Sequence, residues 1–280
     1  VSDDAAQTQQ EQEAKACIPV LPCLELLQTL ASSAKPSRDA ITLFWQAIRY
    51  DFVLLMLMNA QPIEEVVAML ELVRSSALEA SFGTISESGD EERQEKRELD
   101  LIDRLTLMLS ETFDTRREDV TPATVFEVRE KVVDVLHALV FLNHGASLLA
   151  HSRHAIGRLF KFLHTSINSL YMHTHPSLST PISRSINTTT TILYLLCSST
   201  GSSQTHVSVD IRQKLAVVPG GMHVHLLALT RLAFAERIWY ERELEERTGE
   251  MAHEMLDEWL SPEEGEGLMM MFGSEGSEVP

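Results

Sequence analysis

Hydrophobic residues recur at helical spacing along most of this chain, and most densely between residues 131 and 172. A first run carries Val132, Val135, Leu136, Leu139, Val140 and Leu142. A second carries Leu148, Leu149, Ile156, Leu159, Phe160, Leu163, Ile167 and Leu170. The break between them falls near Asn143 to Gly145, so the spacing predicts two helices. Each is apolar over more than one narrow stripe, which marks a helix packed between others rather than laid on a surface.

The flanking segments follow the same logic. Residues 22–33 predict a short amphipathic helix with Leu24, Leu27 and Leu30 on one face. Ser37 can cap a long helix reaching residue 59, with Asp39 in its first turn. Ile41, Phe44, Trp45, Ile48, Phe52, Leu55 and Met56 are expected to be buried there. Pro62 suits the first turn of a third helix over 63–77, with Val66, Val67, Leu70 and Val73 inward. Residues 81–98 combine Gly, Ser and many charges with almost nothing to bury, and read as a flexible acidic loop feeding an exposed helix start. Helical spacing resumes over 99–113. Thr121 followed by Pro122 then gives a cap and a first-turn proline ahead of the central stretch.

Beyond the centre, 173–181 reads as a turn with two prolines. Residues 182–198 include four consecutive threonines, which locally favour strand. Their helical flanks nevertheless predict helix. Shorter helices are expected over 210–217, 222–235 and 241–260. Ser261-Pro262-Glu263-Glu264 forms a capping box before 268–272. About ten to twelve helices with short links imply an all-α chain of irregular, HEAT-like stacked hairpins, an α-solenoid, although no repeat of fixed period is visible. The expected divisions are a disordered N-terminal remnant (1–16), an N-terminal helical segment (17–80), the acidic loop (81–98), the main helical-repeat domain (99–272) and a tail (273–280). Because the chain opens on Val1 and not Met, it is expected to be part of a longer protein.

Composition agrees with helices: 44% of residues are hydrophobic, only 6% aromatic, and Gly and Pro number 12 and 10. A net charge of −18 argues against a whole-surface nucleic-acid binder. The charge is uneven, however. Residues 137–235 hold seven basic residues (Arg153, Arg158, Lys161, Arg184, Arg212, Lys214, Arg231) and one acid, Asp210, whereas 241–280 hold thirteen acids and two arginines. The acidic end reads as a solvated face or as a surface for a basic partner. Direct binding of single-stranded DNA by the basic middle is a minor reading, because no aromatic residues interleave its charges. Three cysteines match no zinc spacing and suit a reducing compartment. With no signal-peptide pattern and a longest apolar run of only residues 52–58, the expectation is an intracellular, soluble protein without a membrane partner.

Candidate chemistry is sparse. His151 and His154 lie one helical turn apart, and His173/His175 and His223/His225 are two apart. The first two groups have no neighbouring acids to complete a zinc site, so no metal is expected. No nucleophile elbow, Walker loop, dinucleotide turn or kinase signature occurs, and no cofactor is implied. Asp257 and Glu258, or Glu263 and Glu264, are better read as a solvated acidic face than as catalytic pairs. The expectation is a non-enzyme. Arg231 sits among Leu226, Leu227, Leu229, Leu232 and Phe234, as a buried, interfacial or snorkelling arginine. Trp239, Tyr240 and Trp259 stand in the charged C-terminal part. Aromatic residues and arginine are frequent interface anchors, with core packing the plainer role for at least one tryptophan.

From residue 214 to 266 the chain resembles the C-terminal end of the fungal ATR-interacting checkpoint (ATRIP/UvsD) family. The residues that carry this are Gly220-Gly221-Met222-His223, the run from Leu229 to Ala235, Ala252-His253-Glu254-Met255-Leu256-Asp257, and Ser261-Pro262-Glu263-Glu264-Gly265-Glu266. The upstream helices are compatible with that family's helical-repeat region. The resemblance implies a non-catalytic nuclear partner of an ATR-type phosphatidylinositol-3-kinase-like kinase, whose helical repeats dock on the kinase and support a homodimer. It also implies that RPA-coated single-stranded DNA is reached only indirectly, through an N-terminal region missing from this chain. Tentative partner contacts are Arg231, Trp239, Tyr240, Trp259, Glu263 and Glu264. The alternative is a helical-repeat adaptor in trafficking or nuclear transport.

Overall fold

The computed structural model describes residues 20–32, 50–58, 61–79, 91–113, 116–141, 143–152, 154–171, 176–198, 228–233 and 246–259. These residues contain helices and turns and no strand. The named helices are α1 (Val20–Ser32), α2 (Tyr50–Met56), α3 (Ile63–Glu79), α4 (Glu91–Met108), α5 (Pro122–Val140), α6 (Asn143–His151), α7 (Ala155–Tyr171), α8 (Pro176–Cys197) and α9 (Glu246–Trp259).

They stack in two layers. In the first, α3 packs between α1 and α5, α5 packs on α8, and α8 on α9. In the second, α2 meets α4 and α4 meets α7, while α6 bridges α4, α5 and α7. Helix α5 lies at the centre and buries Val128, Val132, Val133, Val135, Leu136, Ala138, Leu139 and Val140. This is the expected stacked-hairpin solenoid. The first expected run is α5, ending at Val140.

Polar ties between successive helices reveal the stacking period. Lys131 pairs with Glu71, and Arg74 lies 4.0 Å from Asp134, so α3 and α5 run in the same direction. Thr248, Glu254 and Glu258 of α9 meet Asn187 and Tyr194 of α8 and Ser198 just after it in the same order, so that pair is parallel too. Bonded partners within a layer lie 47 residues apart at Leu57–Arg104 and 63 apart at Asn168–Arg231, with 60 or 61 at the α3–α5 and α8–α9 ties. Each helix therefore stacks on the one roughly a hairpin and a loop earlier.

Local sequence explains most helix boundaries. Thr121 caps α5: its hydroxyl accepts from the Thr124 amide at 3.2 Å, and its own amide donates to Thr124 Oγ1 at 2.9 Å. Pro122 occupies the first turn, where its missing N–H costs nothing. At the start of α3 the Ile63 amide donates to Asp119 Oδ2, 3.0 Å away, so the loop before α5 caps the preceding hairpin. Arg117 donates to the same oxygen at 2.5 Å and to Asp119 Oδ1 at 3.0 Å, and also to the Gln61 carbonyl at 2.7 Å. In α8 the threonine run is helical, and the hydroxyls of Thr190 and Thr191 fold back to the carbonyls four residues earlier, at 2.9 Å each.

Four expectations need correction. Residues 91–98, assigned to the acidic loop, form the first turns of α4. Their Glu, Gln, Arg and Lys are strong helix formers, so lack of apolar residues does not stop the helix. Phe52 and Leu55, expected to be buried, are 38% and 56% exposed, because α2 buries the opposite side through Val53, Met56 and Leu57. The second central run is two helices, α6 and α7, broken after His151. There Ser152 donates to Asp103 Oδ1 at 2.7 Å and accepts from the Ala155 amide at 3.3 Å, capping α7. The turn expected over 173–181 is already α8 from Pro176 onward, with Pro181 inside it. Pro176 is suited to a first turn, and Pro181 comes early enough to cost about one backbone hydrogen bond.

The junction between α5 and α6 is tight. A Cβ on Gly145 would lie 2.2 Å from the Leu139 carbonyl oxygen, a backbone atom that cannot swing aside. Alanine ordinarily favours a helix by about 1 kcal/mol over glycine. Here Gly145→Ala is expected to reverse that sign and cost about 1–3 kcal/mol through overpacking. A urea unfolding midpoint at or above that of the unsubstituted protein would contradict the close approach.

Candidate partner-binding surface

The C-terminal elements dock on α7 and α8 through a few specific side chains. Along α7, Phe160, His164 and Asn168 are spaced by four and share a face. Phe160 is buried and receives the half-buried ring of Trp259 at a centroid distance of 5.8 Å, tilted by 56°. Asn168 Oδ1 accepts from the Arg231 guanidinium, and its Nδ2 lies 3.1 Å from His164 Nε2. On α8, Asn187 Oδ1 accepts from Thr248 at 2.8 Å, Tyr194 donates to Glu254 at 2.5 Å, and Ser198 donates to Glu258 at 2.8 Å. The buried residues Ala252, Met255 and Leu256 of α9 and Ala228, Leu229 and Leu232 of the 228–233 segment complete the attachment.

Two of the six sequence-derived contacts can therefore be placed. Arg231 ties the 228–233 segment to α7, and Trp259 anchors the end of α9 on Phe160. Trp239, Tyr240, Glu263 and Glu264 lie outside the described residues, as does the capping box at Ser261. Glu258 accepts a hydrogen bond, while Asp257 beside it is exposed. In the basic middle, Arg158 donates to the Asp103 carbonyl at 2.9 Å and to Thr106 at 3.1 Å, and Arg184 pairs with Glu130 at 2.6 Å. These cations join helices to one another. Among the described residues no group of three or more His, Cys, Asp or Glu side chains could hold a metal.

Sequence reasoning missed the α7 ridge. Its spacing of four was visible, but the segment was read only as core. It also missed that Phe52 and Leu55 of α2, and Met58 just after it, are exposed.

Two family signatures match the chain: "Rad26-like, helical repeats" over residues 1–197 and "Rad26-like, C-terminal domain" over 209–272. The chain belongs to the Rad26-like family. Its structure is similar to the crystal structure of Myceliophthora thermophila Rad26 (residues 373-841), with a TM-score of 0.73 and 26% sequence identity. The match covers 88% of this chain and 65% of that one, so this chain spans somewhat less than two thirds of the relative's solved length. No curated protein matches. Rad26-like checkpoint proteins are relatives of ATRIP, so the resemblance drawn from residues 214–266 holds at family level. The family signatures extend it to the upstream helices.

The Arg231–Asn168–His164 chain fixes a protonation state. Asn168 must turn its oxygen to Arg231, so its amide N–H points at His164 Nε2, which can only accept. The imidazole is then neutral, with its proton on Nδ1, a buried atom without an acceptor. Burial, and then the charge of Arg231, hold the His164 pKa below its ordinary value of 6.5. Burial does the same at His137, assisted by Arg74 and opposed by Asp134. A depressed folded pKa means that the unfolded chain takes up protons first, so stability falls as pH drops through about 6.5. Thermal unfolding should shift to lower temperature between about pH 7.5 and 5.5, and His164→Gln with His137→Gln should flatten that dependence. An unchanged slope in the double variant would assign the effect elsewhere.

Proposed function

We propose that this chain is a non-catalytic scaffold subunit that binds an ATR-type checkpoint kinase in the nucleus during the DNA-damage response. In this reading residues 222–272 contribute to the contact with the kinase or with a second copy of the chain, and RPA-coated single-stranded DNA is engaged only indirectly. The observation that carries it is the Rad26-like family match over both the helical repeats and the C-terminal domain. The chemistry of the described residues supports it. Arg158, Arg184, Glu254 and Glu258 are engaged in joining helices, and a stack of this kind offers long outer faces for docking.

Affinity capture with the tagged chain should recover a very large kinase of this class from nuclear extract. Reversing both Glu263 and Glu264 to Lys should lower recovery about tenfold, equivalent to about 1.4 kcal/mol, with the helical content unchanged. Equal recovery by a folded double variant would remove those acids from the contact, and absence of the kinase with the unsubstituted chain would remove the function.

A further inference from the structure

Asn168 stands between two basic groups and has one oxygen to offer them. Its Oδ1 accepts from the Arg231 guanidinium, and its Nδ2 lies 3.1 Å from Nε2 of His164, one turn earlier on α7. The other ring nitrogen of His164, Nδ1, is buried without a partner. In this orientation the amide oxygen serves Arg231, and the amide NH2 serves the lone pair on Nε2. A proton on Nε2 turns that lone pair into a donor, which then faces the NH2. Turning the amide over restores a hydrogen bond to the imidazolium but presents the NH2 to the guanidinium. Either way, one cation confronts a donor, and an unmade hydrogen bond in a part-buried site is costly.

The surroundings offer no carboxylate to relieve this. Helices α6, α7 and α8 contain no Asp or Glu. On α7 itself Arg158 is turned to α4, and Lys161 is exposed. Among the neighbouring elements, Asp103 of α4 is engaged by Ser152 and Arg158, and Arg104 by Glu111. His151 of α6 bonds the Ser147 carbonyl, and Arg184 of α8 pairs with Glu130. Glu254 and Glu258 at α9 accept from Tyr194 and Ser198. The charge that acts on the His164 ring is that of Arg231, and it opposes a second positive charge there.

We propose that His164, Asn168 and Arg231 form a proton-sensitive latch, in which a proton on His164 and the guanidinium of Arg231 compete for the single oxygen of Asn168. Residues 228–233, which also bury Ala228, Leu229 and Leu232, are held when His164 is neutral and loosened when it is charged. The sign follows from linkage: the latched segment disfavours the imidazolium, so loosening takes up a proton. The latch therefore weakens as pH falls through about 6.5, by at most about tenfold per pH unit for one proton. The coupling is reciprocal. Drawing Arg231 away from Asn168 makes His164 more basic, so a carboxylate that captures Arg231 acts in the same direction as acid. The latch is independent of which partner the C-terminal elements contact.

Amide hydrogen exchange in the full chain, corrected for the intrinsic effect of pH, tests it. Exchange at 228–233, relative to that of the α5 core, should rise about tenfold between pH 7.5 and 5.5. His164→Gln, whose amide oxygen can replace the lone pair on Nε2, should keep the segment latched at both pH values. Asn168→Asp supplies two acceptor oxygens, one for each cation, and should also abolish the response with His164 still in place. In that variant the His164 ring, followed by NMR, should titrate at a pH higher by about one unit or more. A response that persists in either folded variant, or a flat profile in the unsubstituted chain, overturns the latch. Should Asn168→Asp fail to fold, His164→Gln alone decides between the two results.

Discussion

The packing of α5 against α3 on one side and α8 on the other sets the order of the remaining helices. Eight of its nineteen residues are buried, and a fully buried aliphatic side chain contributes about 1.5–3 kcal/mol. A surface ion pair contributes about 0–1 kcal/mol, so burial supplies the stability and the polar ties choose among packings. Lys131–Glu71 and Arg74–Asp134 favour one register of α5 on α3 and one relative direction. The same division holds at the other end. There Ala252, Met255 and Leu256 of α9 bury while three hydroxyl-to-oxygen bonds align it with α8.

Much of this was legible in the chain. The Thr121 cap, the first-turn Pro122 and the helical reading of 182–198 all rest on local chemistry within a few residues. What was hidden depends on partners far away in sequence. Ser152 ends α6 and starts α7 because Asp103 reaches it from 49 residues back. Phe52 and Leu55 looked buried because α2 is apolar on both sides, and spacing cannot tell which side has a neighbour. The stacking offset was invisible for a related reason. Lys with Glu, Tyr with Glu and Thr with Asn perform equivalent ties, so geometry repeats while residue types do not.

The tentative contact residues divide in a similar way. Arg231 and Trp259 were singled out as interface types, and the structure turns both toward α7. Arg129 sat in a helix that looked entirely structural. Its donation to the Glu111 backbone carbonyl could not be read from the sequence, because Glu111 lies 18 residues earlier. A search by residue type finds candidates, whereas the hydrogen-bond partners show which of them tie one helix to another.

Helices stacked one on another along a common axis also give the molecule the mechanics of a coil spring. Slight changes of tilt at successive joints add along the axis, so the two extremities can shift far while no single joint departs much from its resting geometry.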